Sequence, residues 1–440
     1  MASIQVAMRC RPFVGPGDLG VELKQNGDGP GDGEVIILNS TYTNTRFAFA
    51  YAWWSAHNHK KYAEKDKEIA ADMKFITQDI AYEACGVKIK DDLLGGSAVV
   101  MFAYGLSGSG KTFTVFGPDA ADSPDAWFKH KEPHQMWGIL PRLAYTLFKE
   151  KGSDWKITMK YFQNVVDTVR DLTSSAALEQ QYKTGMRKDA DGFMDIDWCG
   201  KVPIDSWEHL CKMFQQCNAR KAISPTQFNH QSTRGHCIMT LEVEKPSDDN
   251  PDLKQRGRLY VCDLAGTEPA GDIFYAEYKK VPQPDGEIEY QLQGPHANQS
   301  KTKELQDQGK KINLSLTEMA QFFMKMAEAS KKGKLKPGAT IPGCNSYFLC
   351  KYLKDTMVNA KTYLFCAIRP ETKFHPYTYA TLGFANNASV IKLQPKKATA
   401  AASPMERKLL AELDELRALV EQLKKQLSEA QANGGGGGGG

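Results

Sequence analysis

Ala98 to Thr112 reads AVVMFAYGLSGSGKT, an apolar run of strand length that passes at once into a glycine-rich turn closed by Lys and Thr. Gly105 to Thr112 matches G-x-x-x-x-G-K-[ST], and the preceding strand raises the pattern above chance. Gly105, Gly108 and Gly110 let backbone N–H groups turn inward around phosphate oxygens, with Leu106, Ser107 and Ser109 completing the loop. The helix that follows adds the positive end of its dipole. Lys111 is placed to reach β and γ phosphates as a point charge, and the Thr112 hydroxyl suits Mg2+ bridging the same phosphates. The expected ligands are ATP or ADP with Mg2+.

Outward from this loop, short β-like runs alternate with longer helical patterns to about residue 392, which predicts an α/β domain around one sheet. Of the 440 residues, 41% are hydrophobic and 25% charged, the balance of a folded globular protein. Lys plus Arg exceed Asp plus Glu by four (56 against 52), so overall charge gives no reason to expect nucleic acid. The ten cysteines contain no C-x-x-C pair, the first residues MASIQVAMRCRPF show no signal-peptide pattern, and no apolar run reaches membrane-helix length. These features predict a reduced, cytoplasmic chain with structural thiols and no membrane partner.

Composition changes near residue 393. Residues 393–404 (LQPKKATAAASP) have no apolar period and read as a linker. Ser403, Pro404 and Glu406 form a helix-start signature, after which Leu409, Leu413, Leu416, Val420, Leu423 and Leu427 alternate at spacings of four and three. That seam predicts a short coiled coil over 405–432 and a weak homodimer. A glycine-rich tail follows over 433–440.

Two further segments narrow the class. Asn229 to His236 reads NHQSTRGH, and Asp263 to Glu268 reads DLAGTE directly after the apolar run Leu259 to Cys262. In order and spacing after the phosphate loop they resemble the two switch motifs of the kinesin motor family, N-x-x-S-S-R-S-H and D-L-A-G-S-E. Looser likenesses follow: Val6 to Phe13 (VAMRCRPF), Tyr161 to Leu172 (YFQNVVDTVRDL), Ile312 to Leu316 (INLSL) and Thr381 to Lys392 (TLGFANNASVIK). The resemblance covers about 1–392, and its surplus over the family falls in loops, chiefly between Glu268 and Asn313.

The resemblance implies a single motor domain, with a mixed, partly parallel central β-sheet flanked by helices. It implies that Arg9 and Pro12 flank the adenine and Phe113 stacks on it. Ser232, Thr233 and Asp263 would serve the γ-phosphate and metal, with Thr112, Thr233 and Asp263 as the metal set. The Gly266 N–H would sense the γ-phosphate. Arg234 and Glu268 would pair to close the site, with Glu268 relaying a proton from the attacking water.

The implied partner is the microtubule. Ile312, Leu316, Met319, Phe323 and Met326 recur at helical spacing as the buried stripe of a helix that lies on tubulin in the family. Lys325, Lys331, Lys332, Lys334 and Lys336 supply positive charge beside it. Two departures bear on function. Gly235 replaces a serine, which predicts weaker closure of the first switch. Ile341 to Leu349 reads IPGCNSYFL where the family has V-P-Y-R-D-S-K-L-T, so Cys344, Asn345 and Tyr347 replace charged docking residues. The expected function is a microtubule-stimulated motor ATPase on the cytoskeleton. The alternative is a scaffold or tip-binding protein that holds nucleotide and microtubule without productive motility; a P-loop kinase leaves the paired switch motifs unexplained.

Overall fold

The structure is a computed structural model that describes residues 2–13, 17–55, 75–120, 123–176, 178–181, 183–189, 191–247, 253–283, 288–295, 298–336 and 338–393, with eight residues between 412 and 426. The decisive run forms the strand Ala98–Gly105, all eight of whose residues are buried. Val100 and Phe102 enter one hydrophobic layer while Val99, Met101 and Ala103 enter the other, because successive side chains point to opposite faces.

This strand is central in an 11-stranded mixed sheet. Lys254–Asp263 and Lys361–Ile368 flank it, both parallel to it. Gln5–Cys10 and then Tyr51–Ser55 extend the parallel half. On the opposite side, His236–Pro246 runs antiparallel to both Lys254–Asp263 and Lys156–Val165. Asp263 therefore lies opposite Ala103 on one side and Cys237 on the other. The phosphate loop, the end of NHQSTRGH and the start of DLAGTE all meet at one end of these central strands, beyond the carboxyl ends of the parallel ones, where open α/β sheets hold their ligands.

Helices Gln299–Lys331, Phe348–Asn359 and His375–Ser389 cover one face; Val87–Leu94, Ile139–Glu150 and Trp207–Ala219 cover the other. All ten cysteines are buried and free, consistent with a packing role. Among the described residues no helix is long and apolar enough to cross a membrane.

The helix Gln299–Lys331 is 33 residues long; its first turn is capped by Asn298, whose Oδ1 accepts the Lys301 N–H at 2.9 Å. Its expected stripe of Ile312, Leu316, Met319, Phe323 and Met326 is buried. The surplus before it differs from expectation. Rather than a longer loop, it forms the antiparallel strands Ala276–Pro282 and Ile288–Pro295, after which the helix starts a dozen or so residues ahead of INLSL.

Beyond the last helix, Lys392–Leu393 pairs antiparallel with Ala2–Ser3. The linker from 394 lies outside the described residues, as do the tail and most of the expected coil; the eight described coil residues, including Leu416, Leu419, Val420 and Leu423, are helical and exposed.

Candidate active site

Gly110, at φ 104°, caps the helix Lys111–Val115 that carries the phosphate loop. Gly108 lies at φ 71°, and a Cβ there would sit 2.7 Å from the Phe228 carbonyl oxygen, so the loop and the segment before NHQSTRGH meet backbone to backbone. The Lys111 ammonium is buried and donates to the carbonyls of Gly105 at 2.9 Å and Leu106 at 3.0 Å. Burial pulls its pKa down, opposed by the nearby carboxylates of Glu268 and Asp263.

Both acidic switch residues reach back to this loop. Thr112 Oγ1 donates to Asp263 Oδ2 at 2.8 Å, and the Ser107 N–H donates to Glu268 Oε2 at 3.0 Å. Burial raises the Asp263 pKa, and its second oxygen is buried without a hydrogen-bond partner among the described residues. A hydroxyl beside a carboxylate with an open lone pair is a hard-oxygen donor set of the kind Mg2+ takes, so these residues fit the metal. Thr233 lines the same cleft; the Ser232 side chain lies outside the described residues.

Arg234 is buried; burial lowers its pKa while the Glu268 charge opposes, which places the two within electrostatic reach. Gly235 has a steric reason: a Cβ there would lie 2.0 Å from the Asn164 carbonyl oxygen at the end of the neighbouring strand. His236 was passed over in the sequence although it ends the motif. Its Nδ1 accepts the Ala265 N–H at 3.3 Å, which leaves the proton on Nε2 for Ser315 Oγ at 2.7 Å; Ser315 in turn donates to the Ile312 carbonyl at 2.7 Å. Asn313 Nδ2 donates to the Glu268 carbonyl at 2.8 Å. Both switches are thus fastened to the long helix.

At the other end of the cleft, the buried Arg9 guanidinium sits 5.6 Å from the centre of the Phe113 ring. It donates to Ser55 Oγ at 2.9 Å, Gln78 Oε1 at 2.6 Å and Thr114 Oγ1 at 3.3 Å, and burial pulls its pKa to about 10. Pro12 lines the cleft beside Arg11, whose Nη1 donates to the Gly108 carbonyl at 2.6 Å. The cleft has a volume of about 790 Å³, the size of small-ligand sites, and runs from Arg9 and Phe113 to Thr233, Asp263 and Gly266. Sequence reading gave no role to Arg11, although it stands between Arg9 and Pro12 in VAMRCRPF, and missed Ser55 and Gln78, isolated residues with no motif, and Tyr278, Ile288 and Tyr290 of the inserted hairpin, which wall the same cleft. On the rim, His134 Nδ1 accepts the Met136 N–H at 3.4 Å, so its Nε2 carries the proton toward Asp125 at 3.9 Å; in that tautomer it cannot ligate a metal through Nε2.

The lysines lie apart from the cleft. Lys325 and Lys331 belong to the long helix, and Lys332, Lys334 and Lys336 follow it; all five are exposed, while Leu335 anchors the turn in the core. Lys325 Nζ donates to the Pro342 carbonyl at 3.0 Å, and Lys332 pairs with Glu328. In the segment 341–349 Cys344 is buried at φ 55°, while Pro342, Gly343, Asn345 and Ser346 are exposed and Asn345 accepts from Lys354. Buried Glu318 on the long helix accepts the N–H groups of Ser346 at 2.8 Å and Tyr347 at 2.9 Å, capping the helix Phe348–Asn359 from outside it.

A family model described as the kinesin motor domain matches residues 40–279. Kinesin-like protein unc-104 of Caenorhabditis elegans is 26% identical over 411 residues, which is 90% of this chain and 22% of that protein. Human kinesin heavy chain isoform 5A is 25% identical over 322 residues, 72% of this chain and 26% of its own length. The chain thus spans about a quarter of the length of these curated relatives. Among solved structures, a KIF14 dimer in a two-heads-bound state with AMP-PNP, in complex with a microtubule, superposes with TM-score 0.69 at 18% identity over 93% of this chain and 99% of that one. That likeness speaks to the fold.

Proposed function

This chain belongs to the kinesin motor-domain family, and from that membership we propose that it is a microtubule-dependent ATPase coupling hydrolysis to movement. The observation that carries the proposal is the reach of Asp263 and Glu268 to Thr112 and Ser107 of the phosphate loop. Here Glu268 takes the Ser107 N–H, a loop donor that a phosphate would otherwise engage, while Lys111 spends its donors on the Gly105 and Leu106 carbonyls. Entry of ATP exchanges the Lys111 contacts for β and γ oxygens and frees Glu268 from the Ser107 N–H. Glu268, paired with Arg234, then takes the proton of the attacking water through a second water, while Ser232 and Thr233 present hydroxyls and the Gly266 N–H reads the γ-phosphate. Mg2+, held by Thr112, Thr233 and Asp263, would supply charge neutralisation between the phosphates.

The links from His236 to Ser315 and from Glu268 to Asn313 support transmission to the long helix, and the Lys392 N–H bond to Ser330 Oγ at 2.9 Å supports its passage toward the linker at Leu393. The five exposed lysines, and the microtubule in the complex of the structural neighbour, support tubulin as partner and a cytoplasmic, cytoskeletal setting. The exposed leucines near 416–423 support a weak homodimer through 405–432. The segment 341–349, with Cys344 buried and no cation at Cys344 or Tyr347, favours a second reading, a scaffold or tip-binding protein that holds nucleotide and microtubule without productive motility. ATP turnover with and without microtubules separates the two: stimulation is expected of the motor, and unchanged turnover would leave the scaffold.

A further inference from the structure

The inserted hairpin is fastened to the base of the first switch. The Gln227 N–H donates to the Phe274 carbonyl at 3.3 Å, and the Phe274 N–H donates to Gln227 Oε1 at 2.8 Å. Gln227 Nε2 also donates to the Asp272 carbonyl, and Thr226 and Tyr275 form an antiparallel bridge. Tyr278 Oη donates to the carbonyl of Thr226, a fully buried residue, at 2.6 Å. Two residues further on, the Phe228 carbonyl reaches the place a Cβ on Gly108 would occupy. Residues 226–228 are therefore a single span, with one side on the phosphate loop and the other on the hairpin.

The hairpin also walls the cleft. Tyr278, Ile288 and Tyr290 line it together with Thr233 and Gly266. Because Phe274 to Tyr278 follow Glu268 through the short helical turn Ala270–Asp272, the same bonds join the chain beyond the second switch to the strand leading into the first. Moving either switch away from the phosphates has to stretch this staple or carry it along.

We propose that Tyr278 is a positioning residue for the phosphate end of the nucleotide, holding the span 226–228 against the phosphate loop and so slowing nucleotide release. The proposal rests on the nucleotide-site reading above. The phenol acts through the Thr226 carbonyl, so its loss alters the opening of the cleft and leaves the phosphate-binding groups in place.

The test uses the full chain loaded with a fluorescent ADP analogue and chased with excess ATP. Tyr278→Phe removes the oxygen and keeps the ring; loss of one neutral hydrogen bond is expected to speed release roughly fivefold. Leu292→Ala, at an exposed position of the same hairpin, is expected to leave release unchanged. The unfolding midpoint in denaturant is measured for all three proteins. Faster release by Tyr278→Phe alone, at an unchanged midpoint, supports the proposal. Unchanged release in Tyr278→Phe, from a wild-type chain that retains nucleotide, overturns the staple and spares the site. Equal effects of both variants, tracking a lowered midpoint, overturn it as a mere fold effect. A wild-type chain that holds no nucleotide overturns both the staple and the site.

Discussion

The hydroxyl of Thr112 donates to the carboxylate of Asp263 at 2.8 Å across 151 residues of sequence. Asp263 ends a strand parallel to the one that delivers the phosphate loop, so the contact is built by sheet register and not by local sequence.

Lys111→Ala should abolish ATP turnover. The lysine is buried among the loop carbonyls, and the phosphates would lose the loop's side-chain cation. Steady-state phosphate release measures it, and unchanged turnover would place the active site elsewhere.

Glu268→Ala should keep nucleotide binding and lower hydrolysis by a factor on the order of 10² to 10⁴, the usual contribution of a positioned proton acceptor. Arg234→Ala should be non-additive with it, because the two buried charges act on each other. A double-mutant cycle on kcat checks the coupling; independent effects would refute the pair.

Restoring the family's serine should harm this protein. In Gly235→Ser the new Cβ would meet the Asn164 carbonyl oxygen at 2.0 Å, backbone that cannot swing aside. A loss of about 1–3 kcal/mol is expected, as for other overpacked buried sites. Urea unfolding reads it as a lower midpoint at constant slope.

His236 should make stability depend on pH. Burial holds its folded pKa down at about 4, against an ordinary value of 6.5, so the imidazole folds neutral. Its contribution is full above pH 6.5 and is lost as pH falls toward 4, where the unfolded chain binds a proton that the fold refuses. The loss is about 3 kcal/mol. Unfolding free energy from pH 7 to 4 should fall more steeply in wild type than in His236→Gln, and parallel curves would rule it out.

Replacing Lys331, Lys332, Lys334 and Lys336 by alanine should weaken co-sedimentation with microtubules and flatten its salt dependence. All four are exposed, and such attraction is screened over about 8 Å at physiological ionic strength. Basal turnover should hold, since they lie away from the cleft. Binding with an unchanged salt slope would exclude these lysines.

What the sequence disclosed follows the reach of each interaction. The phosphate loop is contiguous, so strand, turn and cation stand in one line of text. Arg234, Asp263 and Glu268 were recognisable through family resemblance, since their convergence depends on strand order. Gly235 read as a loosened switch because its constraint comes from Asn164, 71 positions earlier in the chain. The hairpin was hidden for a different reason. Ala276–Pro282 carries Glu277, Lys279 and Lys280 and buries only Ala276, so it lacks the alternation that marks a core strand. Its stabilising contacts come from the cleft rim.

Glu318 gives the far face of the molecule a mechanical property. The first turn of Phe348–Asn359 takes its anion from a side chain on the neighbouring helix, and Tyr347, its own capping position, supplies no such bond. The two helices are therefore yoked at that point like a crank and its rod. An axial slip of the long helix, started at its switch end, arrives at Ser346 and Tyr347 as a pull on backbone amides, and the shorter helix is dragged along or loses its cap.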